Sequence, residues 1–301
     1  MTAPTHQAIV IGTGFAGLTA AIALAEAGVQ TALVDDGYLG GLITNVGLLE
    51  APGPYDGLSG ADLVGDLLGR AMEAGVDYQM GEITALDQRG GLWALPELDI
   101  SAASVVLATG AKLRALGAPG EERLTGLGVS QCAFCDGALY IGQDVVVAGG
   151  GDAAFQEALH LAEIGCASVT MLLRGDAPRA RPAFVDRAAA AANLSIRRNC
   201  EVLEILGDAG VEGVRIRNTA AGLDETLPAY GVFVFVGLEP RTALAPPQAS
   251  RDRTGALCTD NALQTSAPGI FAIGAARSGY HGSLVDAAAD AEAVARTIAG
   301  S

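Results

Sequence analysis

No stretch of this chain approaches the ~18 consecutive apolar residues that a membrane-crossing helix requires, so no membrane partner is expected. Its first residues, Met1 to Gln7, carry no basic region ahead of an apolar run. No signal peptide is therefore expected, and residence in the cytoplasm is the corresponding expectation. Basic residues are scarce: 18 lysines and arginines face 34 aspartates and glutamates, a formal net charge of -16. That balance argues against nucleic acid or an anionic membrane surface as a partner. Five cysteines in 301 residues are too few for a disulfide scaffold. A structural zinc site needs about four ligands, usually as two pairs. Cys166, Cys200, Cys258, His6, His160 and His281 each stand alone, so no metal is expected.

What remains is a hydrophobic share of 50% with 17% charged residues, the balance of a globular chain with room for about two domains. Two of the five cysteines are close together, in Ser130-Gln131-Cys132-Ala133-Phe134-Cys135-Asp136-Gly137. A C-x-x-C pair near a βαβ pattern reads as a redox dithiol, because two thiols at that spacing can close a small disulfide ring. Two half-buried thiols without chemistry, or half of a zinc site, are the alternative readings. Asp136 is positioned either to exchange protons with the sulfurs or to cap a helix beginning at Gly137.

Ala8-Ile-Val-Ile11 reads as a buried parallel strand, Gly12-Thr-Gly14-Phe15-Ala16-Gly17 as a tight turn, and Leu18 to Ala27 as an Ala-rich helix ended by Gly28. Val29 to Val34 is a second strand finishing at Asp35, 23 residues after Gly12. This is the dinucleotide fingerprint. Its glycines let a pyrophosphate approach a helix N-terminus, and the acid accepts hydrogen bonds from an adenosine ribose. An irregular stretch from Gly37 to Gly60 suggests a functional loop. Ala61 to Ala74 suggests a helix with Leu63, Leu67, Leu68 and Ala71 on one face. Short strands are expected from Val76 to Ile100, with Trp93 as packing, and another buried strand runs from Ser104 to Gly110. Gly117 to Gly128 looks like a linker.

The pattern then recurs. Asp144 to Ala148 is a strand, Gly149-Gly150-Gly151 a second glycine turn, Ala154 to Glu163 a helix and Ser168 to Leu173 the following strand. Two dinucleotides are therefore expected. After the second strand come Arg174 and Arg179, with Asp176 between them. Arginines there suit a 2′-phosphate, so NADPH is favoured over NADH, with simple solvation of both side chains as the alternative. Two more buried strands are expected at Tyr230 to Gly237 and Thr265 to Gly274. Leu284 to Ile298 forms a closing helix whose first amides, near Gly282, Ser283 and Leu284, could face a ligand that is negative when reduced.

Together these segments resemble the low-molecular-weight thioredoxin reductases, flavoproteins of the pyridine nucleotide-disulfide oxidoreductase class, across nearly the whole chain. The resemblance is carried by Gly12 to Gly17, Gly40-Gly41, Pro52-Gly53, Ala108-Thr109-Gly110, Gly128 to Ser130 before Cys132 to Gly137, Gly149 to Gly151, Gly237 to Pro240, and Thr265 to Gly274. It implies an α/β fold of two Rossmann-like, three-layer nucleotide-binding domains: a discontinuous FAD domain over residues 1–115 and 242–301, and a pyridine-nucleotide domain over 116–241 that carries the dithiol. It implies a homodimer. Hydride passes from NADPH to FAD, the flavin reduces the Cys132–Cys135 disulfide with Asp136 as proton donor and acceptor, and the smaller domain rotates to present the dithiol outward. By the same resemblance Gly12, Gly14, Phe15, Ala16, Gly17 and Asp35 hold FAD from one side, with Gly41, Thr109, Gly110, Gly274, Ser283 and Leu284 completing its site. Gly149, Gly151, Ala154, Arg174 and Arg179 hold the nicotinamide nucleotide.

The chain departs from that family at definite places. Ala275 stands where an Asp bonds the flavin's ribityl chain, Gly282-Ser283 where Arg-Gln is usual, and Leu42 where a Gln follows the paired glycines. Leu173-Arg174-Gly175 replaces a His-Arg-Arg run. Ala138-Leu139 replaces two docking aromatics, and Leu127 a basic docking residue. The expected function is an FAD-dependent reductase passing electrons from NADPH to a redoxin or small-molecule disulfide. The alternatives are a dithiol oxidase that closes a disulfide in a small thiol compound with oxygen as acceptor, a ferredoxin-driven variant, and a non-enzymatic redox sensor.

Overall fold

The computed structural model describes residues 3–50 and 54–300, so the Pro52-Gly53 pair lies outside the described residues. The chain divides into two compact units, Met1–Lys112 with Glu239–Ser301, and Leu113–Leu238. In chain order the first unit supplies β1 (Ala8–Ile11), α1 (Phe15–Glu26), β2 (Thr31–Asp35), α2 (Gly60–Glu73), β3 (Asp77–Met80), β4 (Asp87–Arg89), β5 (Leu92–Leu95), β6 (Ile100–Ala102) and β7 (Ser104–Leu107). The chain leaves it within β8 (Ala111–Leu113).

The second unit contains α3 (Glu121–Leu124), β9 (Val129–Ser130), α4 (Ala133–Asp136), β10 (Asp144–Ala148), α5 (Asp152–Glu163), β11 (Ser168–Leu172), α6 (Pro182–Ala190) and β12 (Leu194–Arg197). It continues with β13 (Cys200–Leu206), β14 (Gly213–Asn218), β15 (Leu223–Pro228) and β16 (Gly231–Val234). Return is through β17 (Leu238–Pro240), which pairs with β8, to β18 (Ile270–Ala272) and α7 (Leu284–Ala299).

Each unit has the same three layers, and the alternation of side chains along its strands explains why. The first sheet is parallel in the order β18-β7-β1-β2-β3. Ala8 and Val10 on β1, Leu33 on β2 and Val106 on β7 join a core with α1, α2 and α7. Their neighbours Ile9, Ile11, Val34, Val105 and Leu107 join a second core with Trp93, Leu95 and Ile100 of the antiparallel sheet β4-β5-β6. A strand buried on both faces must be apolar at every position, which is why Ala8-Ile-Val-Ile reads as an unbroken run. Trp93 is packing, its indole N–H donating to the Pro268 carbonyl at 3.0 Å.

The second unit repeats the plan with order β12-β11-β10-β16-β9. Val145, Val147, Met171 and Phe233 face α5 and α6, while Val146, Leu172, Val232 and Val234 face the meander β13-β14-β15. The glycine-rich stretch expected as a linker is instead folded onto that meander. Leu124 is fully buried, a Cβ on Gly120 would lie 2.1 Å from the Ile205 carbonyl oxygen, and the Glu121 carboxylate accepts the Leu116 and Gly117 N–H groups at 2.8 and 2.7 Å. Its glycines serve packing and left-handed turns, since Gly117, Gly120, Gly126 and Gly128 all have positive φ.

Candidate active site and nucleotide-binding turns

In the first unit the glycine turn lies at the C-terminal end of β1, between β7 and β2, where strand order reverses. That is the position at which open α/β sheets take ligands. Gly12 has φ +109, and a Cβ there would lie 2.4 Å from the Ala108 carbonyl oxygen. A Cβ on Gly17 would meet the Gly12 oxygen at 1.8 Å, so α1 is seated directly on the turn. Gly14 is different: its nearest neighbour would be the Gly40 oxygen, at 3.7 Å. The N-terminus of α1 has no side-chain cap and no acid in its first turn. These are the conditions a pyrophosphate requires, an open approach to uncapped amides at Phe15 and Ala16. The Phe15 ring itself turns into the core, edge-on to Tyr55 at 5.1 Å, so its contribution to a nucleotide is through its backbone.

Thr109, Gly274 and the Gly40-Gly41 pair lie beside this turn. Gly274, at φ +59, leaves room for Ala16, whose Cβ would be 2.9 Å from a Cβ built on it. The Thr109 hydroxyl donates to the Arg241 carbonyl, and the Arg241 N–H donates to the Gly110 carbonyl at 2.9 Å, fastening the returning chain beside β7. Gly41 begins a short 3-10 helix, Gly41–Asn45, and the Gly40 N–H before it donates to the Thr13 hydroxyl at 3.2 Å. This collection fits FAD. Gly12→Ala is expected to cost on the order of 2 kcal/mol through backbone strain and the Ala108 clash, and to lower the flavin-to-protein ratio of the purified enzyme. An unchanged ratio together with an unchanged melting midpoint would count against this reading of the turn.

Asp35 and Ser283 are placed differently from a simple ligand reading. Asp35 is buried: one carboxylate oxygen accepts the Thr13 N–H at 3.1 Å and the Thr13 hydroxyl, and the other accepts the Gly37 N–H at 2.8 Å. It therefore ties the end of β2 to the glycine turn, and Asp36, the next residue, is the exposed acid. Ser283 is the N-cap of α7, its hydroxyl accepting the Asp286 N–H at 3.0 Å, with Leu284 beginning the helix. The Tyr280 hydroxyl donates to the Ser283 carbonyl at 2.9 Å. Burial first, then Asp286 and Asp290, push that phenol up to about 12, which keeps it a donor.

In the second unit Gly149, at φ +148, would place a Cβ 2.3 Å from the Phe235 carbonyl oxygen and 2.8 Å from the Ala154 Cβ. Ala154 is thus required to be small by the turn it packs under. Gly151 is open on its Cβ side. The segment after β11 folds back over this turn: the Arg179 N–H donates to the Gly150 carbonyl at 2.7 Å. Asp152 accepts the Arg181 backbone N–H on one oxygen and its Nε on the other, each at 2.7 Å. Arg181, which the sequence pattern did not single out, is therefore the clasp. Arg174 and Arg179, on the segment that folds back over the turn, are both exposed.

The dithiol lies on the same unit, between β9 and β10. Cys132 and Cys135 form a disulfide with Cα atoms 5.3 Å apart; Cys132 is buried and Cys135 exposed. Ser130 organises the turn, its hydroxyl donating to the Asp136 carboxylate at 2.6 Å and accepting the Cys132 N–H at 3.1 Å. The Cys135 N–H donates to Cys132 Sγ and the Asp136 N–H to the Cys132 carbonyl, both at 3.1 Å. From α5, Glu157 accepts the Ala133 N–H at 2.8 Å, and the His160 ring lies 5.5 Å from the Phe134 ring. Ser130 and Glu157 went unread in the sequence because a serine two residues before a cysteine, or an acid in mid-helix, matches no spacing rule. Among the described residues no cluster of His, Cys, Asp and Glu is placed to hold a metal ion.

A profile of the pyridine nucleotide-disulphide oxidoreductases matches residues 6–291, nearly the full chain. The chain belongs to the pyridine nucleotide-disulphide oxidoreductase family. Within that family it is similar to a thioredoxin reductase of Mycolicibacterium smegmatis, 38% identical over 273 residues that make up 89% of this chain and 88% of the relative. The crystal structure of Lactococcus lactis thioredoxin reductase superposes with a TM-score of 0.93 at 31% identity, covering 98% of both chains. That of T. acidophilum thioredoxin reductase does so at 0.91 and 27% identity over 98% of each. The pyridine nucleotide-disulphide oxidoreductase described here is thus an FAD-dependent disulfide oxidoreductase of thioredoxin reductase-like build, in a family whose cofactors are FAD and NADPH.

Proposed function

We propose that this enzyme passes electrons from NADPH, through FAD held in the first unit, to Cys132–Cys135 and on to the disulfide of a redoxin protein, acting as a homodimer. The observation that carries this reading is the disulfide itself, set in the same unit as the second glycine turn. Bound FAD supplies a carrier that accepts a hydride and releases its electron pair to sulfur. The chain's own residues do the rest. Arg174 and Arg179 select the 2′-phosphate, Ser130 fixes the Asp136 carboxylate beside the CxxC turn, and Asp136 gives and takes the protons that the two sulfurs exchange. The turn's surface sets what docks: Phe134, Leu139 and Ile141 are all exposed, with Leu139 at 77%.

That apolar surface also favours a second reading. Ala138, Leu139 and Leu127 offer neither the aromatic pair nor the cation that would anchor a redoxin, and a small apolar thiol compound fits them better. Run in that direction, the enzyme would close a disulfide in the small molecule and pass the electron pair to oxygen as peroxide. Anaerobic titration with NADPH separates the two. Bleaching of the oxidised-flavin band and two new free thiols at Cys132 and Cys135, together complete at two equivalents, are expected for the reductase; no bleaching by NADPH or NADH overturns it. Peroxide release dependent on a dithiol substrate is the result the oxidase reading requires. Arg174→Ala with Arg179→Ala should raise the KM for NADPH about tenfold or more while leaving that for NADH unmoved.

A further inference from the structure

The two residues between the cysteines are held by a carboxylate from another helix. The Ala133 N–H donates to Glu157 Oε2 at 2.8 Å, and the Phe134 N–H also bonds this carboxyl. With the Cys132 N–H on Ser130 Oγ and the Cys135 N–H on Cys132 Sγ, every backbone donor from Cys132 to Cys135 has an acceptor. The Ala133 and Phe134 amides are thus engaged by a carboxylate, while the Cys135 N–H already points at Cys132 Sγ. We infer that Glu157 is a positioning residue of the dithiol: it pins the CxxC turn through the Ala133 and Phe134 amides, and its charge disfavours the thiolate at Cys132 and Cys135 once the disulfide is reduced.

This inference rests on the redox reading of the pair given above. Reduction adds two electrons and two protons, breaks the S–S bond and leaves two thiols, one of which then loses a proton to become the attacking thiolate. A carboxylate hydrogen-bonded to the amides between the sulfurs opposes that ionisation by like-charge repulsion. Burial, the larger effect, holds the Glu157 carboxyl above the usual carboxylate range, and its two amide hydrogen bonds offset only part of that. The other titratable groups around the turn act differently. Asp136 is bonded to Ser130, and the Tyr140 phenol is pushed up by burial and by Asp136. His160, one turn along α5, is pulled down by burial, so it brings no lasting cation to offset Glu157 near neutral pH. On α6, Arg187 is 3.5 Å from Glu163.

The test compares wild-type holoenzyme with Glu157→Gln, which keeps an oxygen for the amides and removes the charge. Both are equilibrated in dithiothreitol redox buffers, in which the reductant is oxidised to its own cyclic disulfide, and Cys132 and Cys135 are followed by peptide-resolved alkylation. That readout sets aside Cys166, Cys200 and Cys258 and needs no turnover. In Glu157→Gln the pH profile of alkylation should move to lower pH, giving about tenfold more thiolate at a fixed pH below the midpoint. At pH above both midpoints, where the reduced pair is ionised, the equilibrium constant for reduction should rise about tenfold, a shift of about +30 mV that vanishes below them. Glu157→Ala should move both in the same direction. If neither profile nor potential moves in either variant, the inference fails, whether or not activity falls. If the wild-type pair cannot be reduced and reoxidised reversibly, the redox reading of the site fails, and this inference with it.

Discussion

Cys135→Ser is expected to lower disulfide-reducing turnover by at least ~10³-fold while the purified protein stays yellow. The couple at this site is a pair: two electrons enter one S–S bond, and a serine hydroxyl cannot share a bond with Cys132. The remaining Cys132 thiol can attack a substrate once, forming a mixed disulfide that nothing within the turn resolves. The backbone survives the change, because the Cys135 N–H and its neighbours keep their roles and Ser130 and Glu157 hold the turn independently of the sulfur. The residues that fit FAD all belong to the first unit, whereas Cys135 belongs to the second. Nicotinamide-driven bleaching of the flavin should therefore proceed at close to the wild-type rate. Measuring the visible spectrum, the NADPH half-reaction and steady-state turnover on one preparation checks all three. A colourless protein would show that the assignment of the flavin to the first unit is wrong, and undiminished turnover would show that the pair is not the redox centre.

Much of this arrangement was legible before the structure. Ala8 to Ile11 and Asp144 to Ala148 are apolar at every position because sheet faces on both sides are covered, and the glycines after each strand have the conformations the fingerprint needs. The apolar pattern places two helix starts a few residues late. α1 begins at Phe15 and α5 at Asp152, because glycine turns pass directly into helix without a capping side chain to mark the boundary. What the pattern hid were roles set by contacts distant in sequence. Asp35 has the spacing of a ribose-binding acid, yet its carboxylate is enclosed by Thr13 and Gly37. The Ser283 hydroxyl is spent capping α7, a role its position in the sequence does not announce. The stretch from Gly117 to Gly128 had a linker's composition, but only the course of the meander reveals that Leu124 and Gly120 are packed beneath it. Glu157 shows the same limit, since nothing in the spacing of Glu157 and Glu163 on α5 tells which acid meets the dithiol and which is exposed.

Asp290→Ala is expected to destabilise the first unit by roughly 3–5 kcal/mol, the cost of removing one partner from a buried ion pair. Asp290 on α7 is 7% exposed at its side chain and grips Arg277 in a bidentate pair, Oδ2 to Nε at 2.7 Å and Oδ1 to Nη2 at 2.8 Å. The same Oδ2 accepts the Gly274 N–H at 3.0 Å. Truncation therefore leaves a guanidinium only 16% exposed without its carboxylate and a buried amide without its acceptor. Gly274 is also the residue that lies against Ala16 of α1, so loss of its tether should loosen the flavin turn as well as the unit. The melting midpoint is expected to fall by on the order of 10 °C, with early release of flavin fluorescence on heating. The double variant Arg277→Met, Asp290→Leu separates charge from packing. Replacing both partners with apolar groups should recover most of the stability, because no uncompensated charge remains, while the orphaned Gly274 amide should keep flavin release early. Equal losses in the single and double variants would show that Asp290 acts through packing rather than through the ion pair.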